Sequence, residues 1–293
     1  MTTLRLILSG VGTAAHNMAV DEALLRSVAG GRSGPVLRFY AWHPFALSFG
    51  YAQRIERIVD PGRAAAAGIA LVRRMTGGRM VFHAREVTFS LSVPETFFAG
   101  RSGVGPTFLD RFLAVMAPFV TALAASGLPA RFADDGETAA GHGTTDRVHC
   151  YQAAVGHSVF VEDRKLIGAA GVRRDGVLAI HGSLPVEPVP MPAAVFREAR
   201  VGREGAALRT AFLADWLAPA GIDALPRSIA AAWGEAWGIG WQPGSLAPAE
   251  AAVANRLARD RYARLDWKIG EPAWEVVEAE LAGLWAAPCS PSD

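Results

Sequence analysis

Two residues frame the chemistry open to this chain. They are Cys150 and, fifteen positions on, Lys165. A cation near a thiol favours the thiolate, which is the nucleophile, and adjacent strands can bring two such residues together. His149 adjoins the cysteine. Taken alone, Cys150 would be a buried structural cysteine and Lys165 a surface lysine at a strand start. Lys165 heads the run Lys-Leu-Ile-Gly-Ala-Ala-Gly. Its small residues Gly168, Ala169, Ala170 and Gly171 suit a slot for a linear acyl chain. His181-Gly182-Ser183 adds a polar group and a small-residue bend, although His181 by itself reads as a satisfied core histidine. The second cysteine, Cys289, sits in a Pro-Cys-Ser-Pro tail and reads as an inert, exposed thiol.

A second polar cluster is Arg73-Arg-Met-Thr-Gly-Gly-Arg-Met-Val-Phe-His83. Arg73, Arg74, Arg79 and His83 surround Thr76, Gly77 and Gly78. Glycines let a ligand approach the backbone, and basic flanks draw an anionic or strongly polar one to it. A plain hairpin turn would use Gly, Asn, Asp and Pro rather than arginine. The stretch therefore reads as a binding loop.

Other chemistries lack their motifs. The chain has no Gly-x-Ser-x-Gly elbow, no Cys-x-x-Cys or His-Glu-x-x-His metal spacing and no Gly-x-x-x-x-Gly-Lys-Ser/Thr phosphate loop. Neither metal nor cofactor is expected. Net charge is +1 over 293 residues, which gives no footprint for nucleic acid or an acidic membrane. Apolar runs break well before a membrane span's length, and the N-terminus has no signal-peptide layout. Two cysteines make no disulfide framework. These features predict a soluble cytoplasmic protein. A hydrophobic content of 51% supports a sizeable core.

The elements that would position these residues follow from periodicity. Leu4 to Leu8 alternates as a strand, and Ala14 to Val28 has helical spacing with Asp21 and Glu22 on or beside it. Val36 to Trp42 and Ala46 to Tyr51 read as strands joined by a tight Trp-His-Pro-Phe turn. Ile58 to Ala67 reads as a helix ended by Gly68. The binding loop joins the strand Ile69–Val72 to the alternating strand Val87–Val93. Thr107 to Ser126 reads as a core helix, with Pro118 expected to kink or break it. Asp134 to Asp146 reads as a mobile loop leading into Val148–Tyr151. Strands follow at His157–Val161, Lys165–Val172 and Val177–Leu184, with turns at Glu162-Asp163 and Asp175-Gly176. The remainder reads as helical, with Trp233, Trp237 and Trp241 taken as packing. The pattern predicts an α+β fold with a mixed, largely antiparallel sheet flanked by helices. Residues 1–245 would form the catalytic domain and 246–293 a helical C-terminal extension.

Four ordered stretches give a more specific reading. They are Asn17–Leu24; Leu37–Trp42 with Leu47–Tyr51; Arg73–His83 with Glu86–Ser90; and Arg164–Ala170 with His181–Ser183. Together they resemble the biotin/lipoate protein ligase superfamily over roughly residues 4–265. The loop Thr-Gly-Gly-Arg, the downstream Glu86, and Cys150 before Lys165 are most similar to the cysteine-dependent octanoyltransferases of lipoate biosynthesis. Lipoate ligases, which use ATP and no enzyme thiol, usually carry a third glycine at Arg79 and Gly-Asn at Arg85-Glu86. The resemblance implies that Cys150 takes octanoyl from acyl carrier protein as a thioester. The chain then passes to a lysine of a lipoyl domain, such as the glycine-cleavage H protein. It implies Cys150 and Lys165 as catalytic residues. It also implies substrate contacts from Arg73, Arg74, Thr76, Gly77, Gly78, Arg79, His83, Gly168, Ala169, His181 and Gly182. Backbone N–H groups at Gly77-Gly78 or near Lys165 would serve a developing oxyanion, while the Arg73-Arg74 pair could instead attract the carrier or position the loop. The chain departs from the family at Tyr151 to Gly156, where Cys-Phe is usually followed by a Pro-Ser pair, and at Gly168–Gly171, where Gly-Ser-Ala-Gln is usual. Two other readings compete: an ATP-dependent lipoate ligase, and a non-catalytic lipoyl-domain binding protein.

Overall fold

A computed structural model describes residues 2–134, 157–197, 210–267 and 273–286. Eleven strands and seven α-helices carry the fold among these residues. The strands are β1 (Thr3–Gly12), β2 (Val36–Trp42), β3 (Ala46–Phe49), β4 (Ala70–Arg73), β5 (Val81–His83), β6 (Glu86–Pro94), β7 (Ala130–Phe132), β8 (Val159–Val161), β9 (Arg164–Arg174), β10 (Val177–Pro185) and β11 (Gly240–Gly244). The helices are α1 (Ala14–Ala29), α2 (Ile55–Ile58), α3 (Pro61–Ala66), α4 (Phe108–Ala125), α5 (Pro219–Trp237), α6 (Pro248–Leu257) and α7 (Ala273–Ala286). Eight strands form one sheet in the order β11-β1-β2-β6-β10-β9-β8-β7, and β4-β3-β5 form a second. The main sheet is parallel at β11-β1-β2 and antiparallel from β2 onward. This is the mixed, largely antiparallel α+β architecture expected.

The alternation in Val87-Thr-Phe-Ser-Leu-Ser-Val93 gives the sheet two unlike faces, because successive side chains point to opposite sides. Phe89, Leu91 and Val93 join Leu37, Phe39, Leu178 and Ile180 against α4 and α5. Thr88 and Ser90 face the other way. Pairing aligns them into rows: Arg38, Ser90, His181 and Ala170 in one, Tyr40, Thr88, Ser183 and Gly168 in the next. This second face is polar. It meets α1, whose Asp21 binds Arg38 across the gap.

α4 starts at a capping box between Thr107 and Asp110. It runs through Pro118 without ending, so the expected break does not occur. Long and apolar enough to cross a membrane by composition, it instead packs Phe112, Val115, Phe119 and Leu123 into the sheet core. Trp233 of α5 is fully buried, donates Nε1–H to Val115 O at 3.1 Å, and stacks near Phe97 and Trp237. The tryptophans are packing residues, as read.

Several local expectations need correcting. β2 and β3 are joined by the tight turn expected, but they lie in different sheets, so the turn is a crossing between sheets. The expected helix over 58–67 is two short helices, because Pro61 restrains the residue before it and starts α3 afresh. The last residues of the basic loop are themselves strand β5. Trp241 belongs to β11, which pairs with β1, a strand hidden by its Gly and Pro content. The hairpin at Asp175-Gly176 forms as expected, both residues with positive φ. The loop expected over 134–146, beyond Asp134, and the 148–151 segment lie outside the described residues.

Glu22 ties the C-terminal helices to α1. It receives bonds from Arg261, from Arg26 Nη2 at 2.7 Å and from Tyr262 OH at 2.7 Å, with Arg174 3.6 Å away. Burial opposes its ionisation, but Arg261, Arg26 and Arg174 outweigh that and lower its pKa from 4.5 to about 2. A depressed carboxylate stabilises above its unfolded pKa and ceases to as pH falls through the folded one. The free energy of unfolding is therefore expected to drop between pH 4.5 and 2 through this group. Glu22→Gln should flatten that segment and cost about 3–5 kcal/mol at pH 7 by leaving buried arginines uncompensated. Chemical denaturation across this pH range checks both.

Candidate active site

The polar face of the main sheet, the small sheet and the basic loop enclose a cavity of about 390 Å³. Lys165, Gly168, Ala169, Ala170 and Gly171 line it from β9. Four consecutive strand residues on one cavity mean that the space follows the backbone edge of the strand, since alternate side chains point opposite ways. Among the described residues, β8 ends its pairing with β9 at Ile167. Lys165 is only 1% exposed and still borders the cavity.

Arg74 organises the loop opposite. It is buried, and its N–H groups go to Gly77 O (2.9 Å), Arg79 O (2.6 Å) and Ser48 O (3.1 Å). These bonds curl residues 74–79 around the guanidinium. Gly78 sits at φ +88°, where a side chain is strained. Gly50 is required for a different reason: a Cβ there would lie 2.0 Å from Gly78 O. The loop thus rests directly on the backbone after β3.

Two relays leave Arg74. In the first, Nη1 donates to Ser48 Oγ (3.1 Å), which lies 2.7 Å from His83 Nε2. His83 Nδ1 donates to Glu86 Oε1 at 2.6 Å. Trp42 donates to Thr88, so the Thr88 hydroxyl hydrogen also goes to Glu86. Trp42 stacks on the His83 ring at 4.0 Å. In the second, Arg74 Nε donates to Thr76 Oγ1, which is 2.6 Å from His181 Nε2. Burial lowers the His181 pKa, and Arg74 adds to this although Asp21 opposes it. The ring is neutral at pH 7, so Thr76 donates to it. Asp21 accepts from Arg38 (2.7 Å), Ser90 (2.7 Å) and Tyr40 (2.8 Å). Burial works against its charge, yet Arg38, His181 and Ser90 hold its carboxyl below the ordinary range.

Of the residues singled out in sequence, Arg74, Gly77, Gly78, Arg79, His83, Lys165, Gly168, Ala169, His181 and Gly182 line one cavity. Arg73 does not. Its guanidinium turns away to the carbonyls of Leu265, Tyr51 and Gln53, because side chains alternate along β4. Thr76 acts from behind, through His181. Cys150, His149 and Cys289 lie outside the described residues. Sequence reading missed Tyr40, Trp42, Ser48 and His157 as lining residues. Thr88 and Ser183 were legible from strand alternation once the polar face was known.

Residues 13–198 match the family model for the lipoyl protein ligase A/B catalytic domain. The chain belongs to that family. Full-length relatives agree with this. The octanoyltransferase LipM of Kyrpidia tusciae is 34% identical over 275 residues, covering 91% of this chain and 98% of the relative. That of Symbiobacterium thermophilum is 32% identical, covering 92% and 98%. Among solved structures, lipoate-protein ligase A bound with ATP superposes with a TM-score of 0.69 at 25% identity, covering 91% of this chain and 98% of the other. A T. acidophilum protein of the lipoate protein ligase type, solved with lipoic acid, gives 0.69 at 26%, covering 92% and 100%. The superfamily expected from the motifs is the family found.

The loop geometry predicts opposite outcomes for two neighbouring glycine substitutions. Gly50→Ala should force the Gly77–Gly78 peptide out of place, with a loss of about 1–3 kcal/mol, the usual cost of overpacking. Gly77→Ala, with no atom within 4 Å of the added carbon, should leave stability within about 0.5 kcal/mol. Denaturant unfolding of the two variants measures the difference.

Proposed function

We propose that this lipoyl protein ligase A/B family member transfers an octanoyl group from octanoyl-acyl carrier protein, through a thioester on Cys150, to a lysine of a lipoyl domain. The observation that carries this reading is the cavity running along the small residues 168–171, with the buried Lys165 at the start of the run. Such a slot fits a linear acyl chain, and a buried cation is suited to holding a thiolate and its acyl carbonyl. The relatives named octanoyltransferase span nearly all of this chain, which supports the same chemistry.

The Cys150 thiolate attacks the carrier thioester, and the carrier thiol leaves. One thioester replaces another, so the step is near-neutral and needs no ATP. The acceptor amine then attacks the enzyme thioester, and formation of the amide makes this step downhill. Arg79 lines the cavity half-buried and has no side-chain partner among the described residues. It is available for the acyl oxygen or the carrier, where ligases usually carry glycine. Gly77 and Gly78 offer backbone N–H groups on the same wall.

Incubation with octanoyl-acyl carrier protein, read by intact mass, tests the reading. One octanoyl adduct is expected on the wild-type chain, none on Cys150→Ala, and loss of the adduct on adding a lipoyl domain. An adduct absent from wild type, or persisting in Cys150→Ala, contradicts it. Adenylate formation from ATP and free lipoate, indifferent to Cys150→Ala, would instead assign the chain to the ligases.

A further inference from the structure

Several exposed arginines of this chain each hold a carboxylate. Arg85 holds Glu187, Arg173 holds Glu95 and Arg264 holds Asp266. A group beside the cavity differs. Arg54 and Arg57 at α2 and Arg63 of α3 are exposed and have no ion pair among the described residues.

The chain path sets this group at the cavity mouth. Gly77 and Gly78 are exposed and line the cavity, so their loop is part of its rim. Gly50 lies against Gly78 O. Gln53 fastens the turn after Gly50. Its Oε1 accepts from Gly50 N at 2.9 Å, and its O accepts from Arg73 Nη1 at 2.9 Å. Arg54 follows directly, three Cα steps from Gly50 and so within about 11 Å of it. The Arg57 N–H donates to Arg54 O at 3.0 Å, which places the two one turn apart on the same side. Arg197 joins them from a distant part of the chain. It donates its backbone N–H to Ile58 O at 3.1 Å and its Nε–H to Val59 O at 3.2 Å. Arg79 stands on the loop itself.

The carboxylates of residues 54–63 are Glu56 and Asp60. Glu56 acts on Arg73. Asp60 accepts from Arg63 N at 3.1 Å and faces Arg197 at 3.5 Å. Five arginines against two carboxylates leave a surplus of three, larger than the net +1 of the whole chain, so the basic charge is concentrated here.

We propose that Arg54 and Arg57, with Arg79 and Arg197 beside them, form the docking surface for the acyl carrier protein that brings the octanoyl group. The inference rests on the octanoyl-transfer reading above and names where its donor lands. Such a carrier is a small acidic domain, and its thioester ends an arm joined through a phosphodiester. Guanidinium groups meet both carboxylates and phosphate with paired N–H donors. Cations without internal partners also raise the rate of encounter with an acidic protein, and no ion pair has to break when it lands.

Charge reversal separates this role from a structural one. Arg54→Glu combined with Arg57→Glu should weaken binding of holo acyl carrier protein, read by fluorescence anisotropy. Octanoyl loading from that carrier should slow by about 10-fold at low salt. The gap between wild type and variant should narrow above about 0.15 M salt, where charges more than about 8 Å apart are screened. Loading from octanoyl-pantetheine, a neutral donor without a protein, should keep the wild-type rate. So should transfer from the isolated adduct to a lipoyl domain. Wild-type carrier binding and loading in the variant overturn the surface. Equal slowing with octanoyl-pantetheine also overturns it, since that marks damage to the site. Slowing confined to the transfer step gives the rim to the lipoyl domain instead. If wild type forms no adduct from either donor, the thioester reading falls, and the docking surface stands or falls on the anisotropy alone.

Discussion

A buried guanidinium has to place its N–H groups on acceptors or forfeit several kcal/mol. In this chain Arg74 meets that demand with the carbonyls of its own loop and with Ser48. The constraint shapes one wall of the cavity. Residues 75–79 must turn around Arg74, Gly78 must take a left-handed backbone, and Gly50 must lack a side chain. The same guanidinium sets Ser48 and Thr76, and through them His83 and His181. What looked in sequence like an anion cradle is a self-satisfied scaffold, in which Arg79 alone of the three arginines lacks a side-chain partner among the described residues.

The opposite wall depends on the two-faced sheet. Its apolar side gains stability against α4 and α5 and fixes the strand register. Once the register is fixed, Arg38, Ser90, His181 and Ala170 must fall in one row and Tyr40, Thr88, Ser183 and Gly168 in the next. Asp21 and Glu22 divide the work on α1. Asp21 anchors the polar rows, and Glu22 fastens the C-terminal segment. Core, site and C-terminal packing thus meet on one helix.

Much of this was legible in the chain. Alternation in Val87–Val93, the Asp175-Gly176 turn and the Gly68 helix stop are local signals, and local signals survive folding. The run of small residues after Lys165 marked a wall of the cavity because close approach needs small side chains. Other features depend on distant partners. β11 is a strand only because β1 offers it an edge, and its own Gly and Pro argue against it. Arg73 and Arg74 are adjacent and alike in type, yet strand alternation sends one away from the cavity and the other into its wall. His157 carries no motif, and its place in the cavity wall follows from its contact with Ala169 of β9, which sequence spacing cannot show.

The central claim is that the acyl chain lies along β9, between Lys165 and the Arg74 loop. A photoreactive octanoyl analogue with a diazirine on its terminal carbons, loaded from acyl carrier protein, tests it directly. After irradiation and proteolysis, the account predicts crosslinks to the peptides carrying residues 168–171 and 77–79. Crosslinks confined to other surfaces, with loading intact, would contradict it.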